Sequence, residues 1–339
     1  MSNLRAGRSR ESGALPRTAA DRGTEGDDCL RKAKPTTLSL CLGVGYVSTH
    51  IREASPADTY RVYQLLSGST LNNRSLSLAA RRRLHNSRWS GDQAHHGYLL
   101  EDDGKVVGFL GTLFTTRTIG NVDSRFCEIH SWYVEDAYRN NGISLFLPVL
   151  ALRNTHTILN YTPTKGVYEI GKKFGFSDLE TEILLLYPIP MSVRRLHITD
   201  RKWQVAEHLA GTDLGIFEDH IDVPCHHLVV LDPSRSAPPL YLLMKSMRRR
   251  WYEPFGRLLY ASDFSRFAEV ADALCWRLSL RFGWQCIAVD AARFDAHKPT
   301  GLSRKIKREI PSQYFSKLID RKSLYPLYSQ PLLQGYPLH

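Results

Sequence analysis

The sequence of 339 residues predicts an α/β (α+β) fold, a mixed sheet flanked by helices, followed by a second unit of the same kind. Three observations carry that expectation. Apolar runs of period two alternate with helical segments from Tyr46 to Tyr187. The polar turn Asp102-Asp103-Gly104-Lys105 joins two such runs into a hairpin. The same alternation returns in outline between Leu228 and Val289. With 42% hydrophobic and 23% charged residues, the chain is long enough for two full cores.

Met1 to about Pro35 holds hardly an apolar residue and cannot offset its ordering entropy, so residues 1–45 are expected to be a disordered tail. Its acidic residues Glu11, Asp21, Glu25, Asp27 and Asp28 count against a transit peptide. Tyr46–Arg52 reads as the first strand, and Pro56 suits the first turn of a helix over Ala57–Leu66. His96–Glu101 and Val106–Thr116 form the hairpin, and Phe126–Val134 is the next strand. A helix is expected from Gly142 to Arg153, with Pro148 kinking or shortening it. His156–Tyr161 is a fifth strand, Lys165–Phe174 a helix stopped by Gly175, and Glu182–Tyr187 a strand closing the first unit.

Residues 188–200, opening with Pro188-Ile189-Pro190, read as a linker, and 201–322 as the second unit. Its strands are expected at Leu228–Leu231, Leu240–Met244, Arg257–Ala261 and Cys286–Val289, with a helix from Ser262 or Asp263 to Arg281. Residues 323–339 read as an extended C-terminal segment broken by proline and glycine.

The stretch Val134 to Ser144 carries the functional signal. A strand runs through a polar turn into a helix, a place where unpaired N–H groups and the helix dipole hold an anion. The order Arg139-x-x-Gly142-x-Ser144, after Val134 and Tyr138, resembles the acyl-CoA pyrophosphate loop of the GNAT superfamily of N-acyltransferases. Asn140 and Ser144 stand where that pattern often has glycine or alanine; Ser144 is small, and Asn140 tolerates left-handed backbone. Gly175-Phe176 matches a second GNAT feature, and the element order over Tyr46–Tyr187 is that of the GNAT fold. The second half resembles a degenerate GNAT-like domain. Its strand-to-helix junction lacks the Arg-x-x-Gly turn and places Asp263 where an anion would sit, which suits a helix N-cap instead. That half is expected to build the acceptor cleft or the surface of a homodimer.

The resemblance implies a transfer from acetyl-CoA or another acyl-CoA to an amine, with no metal. Loop residues Arg139, Asn140, Asn141, Gly142, Ile143 and Ser144 would bind the diphosphate. The backbone of Trp132, Tyr133 and Val134 would pair with the pantetheine arm, with Asn160 across the gap. Two-residue periodicity puts Glu128, His130 and Trp132 on one strand face and Cys127, Ile129, Ser131 and Tyr133 on the other. Glu128 is the first choice for general base and His130 the second; a salt-bridged Glu128 and a hydrogen-bonded core His130 are the structural alternatives. Gly171 occupies the position where many GNAT enzymes carry a tyrosine that protonates the leaving thiolate. Tyr168, one turn earlier, or Tyr161 would substitute, or both only pack the cleft. Lys165, Lys172 and Lys173 would meet adenosine phosphates or form a solvated face.

The net charge of +11 fits a nucleic-acid partner, an anionic cofactor such as CoA or a solvated basic surface alike, but its basic residues, among them Arg81–Arg83, Arg248–Arg250 and Arg304–Arg308, are dispersed, which counts against a nucleic acid. No run reaches the roughly 18 apolar residues that span a membrane. Six cysteines without paired spacing fit a reducing cytoplasm, and Cys225-His226-His227 on an extended chain points to alternate faces rather than to one metal. The stretches Asn160–Pro163 and Leu324–Ser329 resemble bacterial GNAT proteins found with surface-polysaccharide synthesis, implying an amino sugar or other small amine as acceptor. Tandem GNAT-like transferases that use aminoacyl-tRNA, and non-enzymatic acyl-CoA binders, are the alternatives.

Overall fold

A computed structural model describes residues 49–69, 77–85, 89, 95–119, 122–190, 195–233, 237–249, 252–294 and 298–334, all within one compact unit. The expected tail over 1–45, the start of the first strand, residues 191–194 of the linker and the last five residues lie outside the described residues.

The first half runs β1 (His50–Glu53), a 3-10 turn (Pro56–Asp58), α1 (Thr59–Ser67), α2 (Leu78–His85), β2 (Gly97–Asp102), β3 (Lys105–Ile119) and β4 (Val122–Val134). A 3-10 helix (Asp136–Phe146) follows, then α3 (Leu147–Ala151), β5 (Thr157–Asn160), α4 (Lys165–Lys173), β6 (Ser177–Asp178) and β7 (Glu182–Tyr187). The second half comprises β8 (His197–Thr199), α5 (Lys202–Glu207), α6 (Gly211–His220), β9 (His226–Leu231), β10 (Leu240–Arg249) and β11 (Tyr252–Ala261). It continues with α7 (Phe264–Glu269), α8 (Ala271–Phe282), β12 (Cys286–Asp290), β13 (Leu302–Lys307), β14 (Gln313–Phe315) and α9 (Gln330–Gln334).

Two seven-stranded mixed sheets result, ordered β1-β2-β3-β4-β5-β14-β6 and β13-β7-β12-β11-β10-β9-β8. The halves therefore exchange a strand. Glu182–Tyr187, expected to close the first sheet, instead lies antiparallel between β12 and β13. The vacated place beside β5 is taken by β14, from more than a hundred residues downstream. Period-two apolarity defines a strand but not its neighbours, and Leu184 and Leu186 find their burial in the core of the second sheet. The two crossing segments are tied together: Leu179 N–H donates to Ser312 O (2.8 Å) and Arg308 N–H to Thr181 O (2.9 Å). Buried Glu180 accepts from Arg257 (2.7 Å) and Arg308 (2.6 Å) at the same place.

The turn of the first hairpin has both central residues left-handed, Asp103 at φ 44° and Gly104 at φ 77°, the twist a two-residue hairpin requires. One face of the first sheet packs Leu110, Ile129 and Cys127 against Leu145, Phe146, Val149 and Phe176. The other packs Leu99 and Phe109 against Val62, Leu65 and Leu66 of α1. Leu84, Trp89 and Leu113 of the first half meet Val229, Tyr241 and Leu243 of the second, and Leu327 and Leu332 of the C-terminal segment complete that cluster. Within its described residues, the segment expected to be extended contains the short helix α9. In the second half the single expected helix divides at Val270, and Asp263 caps α7 by accepting from Arg266 N–H at 3.0 Å. His226 and His227 point to opposite faces, His226 toward Phe282 and Trp284, His227 toward Phe217 and Tyr241.

Candidate active site

β4 and β5 run parallel and pair at Phe126–Thr157, Cys127–Ile158 and Glu128–Leu159, and there the pairing stops. On its other side β4 stays paired with β3 out to Val134. The edge of β4 from Ile129 to Val134 thus faces a gap, with Asn160 on the opposite bank as the last residue of β5.

A bulge in β4 changes which side chains line this gap. Phe109 pairs with Tyr133 and Gly111 with His130, so two residues of β4 oppose one of β3, and Ser131 takes the extra place at φ 52°. The strict alternation expected for Glu128, His130 and Trp132 breaks at that point. Trp132 turns to the face of Ile129 and stacks on Phe146 with ring centroids 5.1 Å apart, while Tyr133 packs toward α1. His130 lies across Gly111, where an added Cβ would come within 2.1 Å of the imidazole carbon Cε1. Its Nδ1 is 3.2 Å from Ser131 Oγ, and its ring meets the edge of Phe109.

Glu128 sits at the vertex where the strands part, 2% exposed. Its Oε2 accepts the Gln330 backbone N–H at 2.8 Å across a separation of 202 residues. Burial raises its carboxyl pKa to about 8, against the opposing pull of the Gln330 N–H and the Arg117 charge. Arg117 itself lies 4.2 Å above the Phe126 ring and donates to Tyr325 O at 3.2 Å. Tyr161 donates its hydroxyl to the same carbonyl at 2.8 Å, and burial pushes its pKa up to about 12. The C-terminal segment thus roofs the carboxyl, which no local sequence signal near Glu128 announces.

The expected α-helix beginning at Gly142 is not what forms. Asp136–Phe146 is a 3-10 helix, and the α-helix starts only at Leu147, with Pro148 in its first turn rather than at a kink. A proline there clashes with an α-helical carbonyl four residues back, and the Asn-Asn-Gly run favours helix weakly, so the tighter turn persists upstream. In that conformation the N–H groups from Tyr138 onward are held by carbonyls three residues back, as Tyr138 by Glu135 O at 2.9 Å and Leu147 by Ser144 O. They are not the open donors expected past Arg139. Arg139 is exposed and pairs with Asp136 at 2.7 Å. Asn141 donates to Thr49 Oγ1 at 2.8 Å, Ser144 Oγ donates to Asn141 O, and Asn140 and Ile143 are surface residues in the same element. Gly142 is buried against Val134, whose Cγ2 would touch a Cβ there at 3.4 Å.

Tyr168 does not face the gap. Its hydroxyl donates to Asp178 Oδ1 (3.0 Å) on β6, and β14 stands between β6 and β5. Lys172 pairs with the same carboxylate at 3.3 Å, and Lys165 and Lys173 are exposed. Gly171 faces Gln313 of β14, whose Oε1 would lie 2.5 Å from an added Cβ. On the α1 side of the sheet a cavity of about 350 Å³ opens between Arg61, Gln64, Lys105, Tyr133 and Glu135, lined neither by Glu128 nor by the loop. Among the described residues no group of three or more His, Cys, Asp or Glu is placed to hold a metal ion, and no helix is long and apolar enough to cross a membrane.

Residues 59–147 match the model of the Acetyltransferase (GNAT) family, from α1 to the start of α3. Among solved structures, the chain is similar to a probable N-acyltransferase of Enterococcus faecalis at 10% identity, over 78% of this chain and 72% of that one, with a TM-score of 0.50. A GCN5-related N-acetyltransferase of Anabaena variabilis is similar at 11% identity, over 78% and 72%, with a TM-score of 0.51. No curated protein matches the chain. Residues 59–147 thus match an acetyltransferase (GNAT) domain, and the fold over most of the chain is similar to those of GNAT N-acyltransferases of known structure.

Proposed function

We propose that this protein moves an acyl group, most simply acetyl, from acyl-CoA to a primary amine by direct attack within a ternary complex. One observation carries the reading: the edge of β4 left unpaired beyond the Glu128–Leu159 pair, with a carboxyl of raised pKa at its vertex. An extended pantetheine arm fits such an edge as an added strand, bonding to backbone groups between Trp132 and Val134. Those strand amides would polarise the thioester carbonyl. An alkylammonium of pKa about 10.4 must lose its proton before attacking, and a carboxyl titrating near neutrality suits that task directly or through water. Glu128 is the assigned base and His130 the second. The departing thiolate, of pKa about 8.5, needs no acid.

The diphosphate is assigned to Arg139–Ser144, whose 3-10 turns have to open on binding to release their N–H groups. The acceptor is assigned as a small amine, an amino sugar first, and the compartment as the cytoplasm. The closed loop favours one second reading, an aminoacyl-tRNA-dependent transferase, which needs no diphosphate site.

Calorimetric titration with CoA and acetyl-CoA tests the assignment. Wild type is expected to bind both, and Gly142→Asp, placing a carboxylate at the diphosphate, to lose at least tenfold in affinity. Acetyl-CoA turnover, read as thiol release over an amine panel, accompanies it. Equal affinity in both proteins counts against the loop; binding of tRNA without CoA selects the second reading.

A further inference from the structure

β13 ends the second sheet, paired with β7 on one side and with no strand neighbour on the other among the described residues. An antiparallel strand ordinarily packs one face on a core. Here all six residues, Leu302–Lys307, are exposed, and the core that buries Leu184 and Leu186 of β7 stops short of them. The register with β7 sorts the side chains. Leu302, Arg304 and Ile306 stand on the face of Ile183, Leu185 and Tyr187, while Ser303, Lys305 and Lys307 stand on the other. Leu302 is 60% and Ile306 43% exposed, beside half-buried neighbours on β7, so the first face is an apolar strip with one guanidinium in its middle. The second face carries two ammonium groups, with the Glu182 carboxylate 4.0 Å from Lys305. Glu309 is exposed just beyond the end of the strand.

These charges select what can lie along the edge. Two-fold antiparallel pairing centred on the strand would set Arg304 or Lys305 of one copy directly against Arg304 or Lys305 of a second, and like charges so placed repel. An apolar strand would cover the same cations without neutralising them. A strand of opposite charge meets neither obstacle.

We propose that the outer edge of β13 takes an extended acidic peptide of a partner protein as an added antiparallel strand. The strand itself writes the complement: carboxylates opposite Arg304, Lys305 and Lys307, apolar residues opposite Leu302 and Ile306, and a small polar residue opposite Ser303. Along the incoming strand this reads Glu-Val-Glu-Glu-Thr-Val. Main-chain hydrogen bonds to the open edge supply affinity, and the side-chain pairs supply specificity.

The test is fluorescence anisotropy with the full chain and the peptide Glu-Val-Glu-Glu-Thr-Val, labelled at its N-terminus and amidated. Saturable binding is expected below about 1 mM. Lysine in place of every peptide glutamate should weaken it about tenfold or more, as should the paired substitutions Arg304→Glu and Lys307→Glu in the protein. Those two positions are exposed, so the urea midpoint of the variant should stay that of wild type. N-methylation of one alternate set of peptide amides should abolish binding and of the other set leave it, because only every second N–H of an added strand faces the edge. No saturable binding, binding that survives the charge swap or both methylations, or a variant that binds as wild type does overturns the proposal. Tighter binding of a labelled oligothymidylate overturns it in favour of a nucleic-acid surface. A wild-type dimer in sedimentation that the acidic peptide dissociates overturns it in favour of a second copy.

Discussion

Replacing Glu128 by Gln tests the site through stability and through rate. The carboxyl is buried, and burial lifts its pKa from an ordinary 4.5 to about 8. Between these values the unfolded chain is ionised while the folded protein holds the proton. Folding therefore takes up a proton, and stability falls as pH rises from about 4.5 to about 8. The full difference is roughly 5 kcal/mol, complete once pH passes the folded pKa. The Gln side chain keeps an acceptor for the Gln330 N–H and carries no charge, so the variant lacks this decline. Urea unfolding of both proteins at pH 5 to 9 should give curves that diverge with rising pH, the variant being the more stable at the alkaline end. In the same proteins thiol release should fall about 10²- to 10⁴-fold, with loss of the wild-type rise in kcat/KM that is half complete near pH 8. Parallel stability curves would refute the burial argument. Diverging curves with an unchanged pH–rate profile would refute the assignment of Glu128 as base.

Tyr168→Phe should leave kcat unchanged, because its hydroxyl is engaged with Asp178 away from the gap; thiol release measures it. Gly171→Ala should destabilise by about 1–3 kcal/mol, since its Cβ would fall 2.5 Å from Gln313 Oε1, and Gln313→Ala in the same chain should recover most of that loss in urea unfolding. Glu180→Gln should cost about 3–5 kcal/mol by leaving Arg257 and Arg308 buried without their counter-charge. Burial alone would raise the Glu180 pKa, but the two guanidinium groups outweigh it and hold it below the usual carboxylate range. The stability it contributes is therefore present above the ordinary carboxylate pKa and lost as pH falls through the depressed one. The stability gap between wild type and Glu180→Gln should therefore be widest near neutral pH and close as pH falls through the depressed pKa, and a gap that stays constant into acid would refute the coupling.

The amino-acid sequence by itself determined the elements and their order: the hairpin around Asp103 and Gly104, the strand carrying Glu128, the helix stopped by Gly175, the cap at Asp263. Each depends on groups a few residues apart, where periodicity and turn chemistry act. The tertiary structure alone decided what those elements meet. Strand periodicity is blind to partners, so nothing in Glu182–Tyr187 or Gln313–Phe315 marks the exchange between the sheets. A single inserted residue at Ser131 reversed the facing of Trp132 because side chains alternate with a period of two. The apolar run after Asn141 reads as an α-helix, and the proline at 148, the weak helix propensity of Asn-Asn-Gly and the packing of Gly142 on Val134 accompany a 3-10 helix instead. Glu128 owes its raised pKa to burial in the folded protein, which outweighs the opposing pull of a backbone N–H 202 residues away, and Gly171 faces a side chain of the exchanged strand; contacts of that kind exist only once the chain has closed on itself.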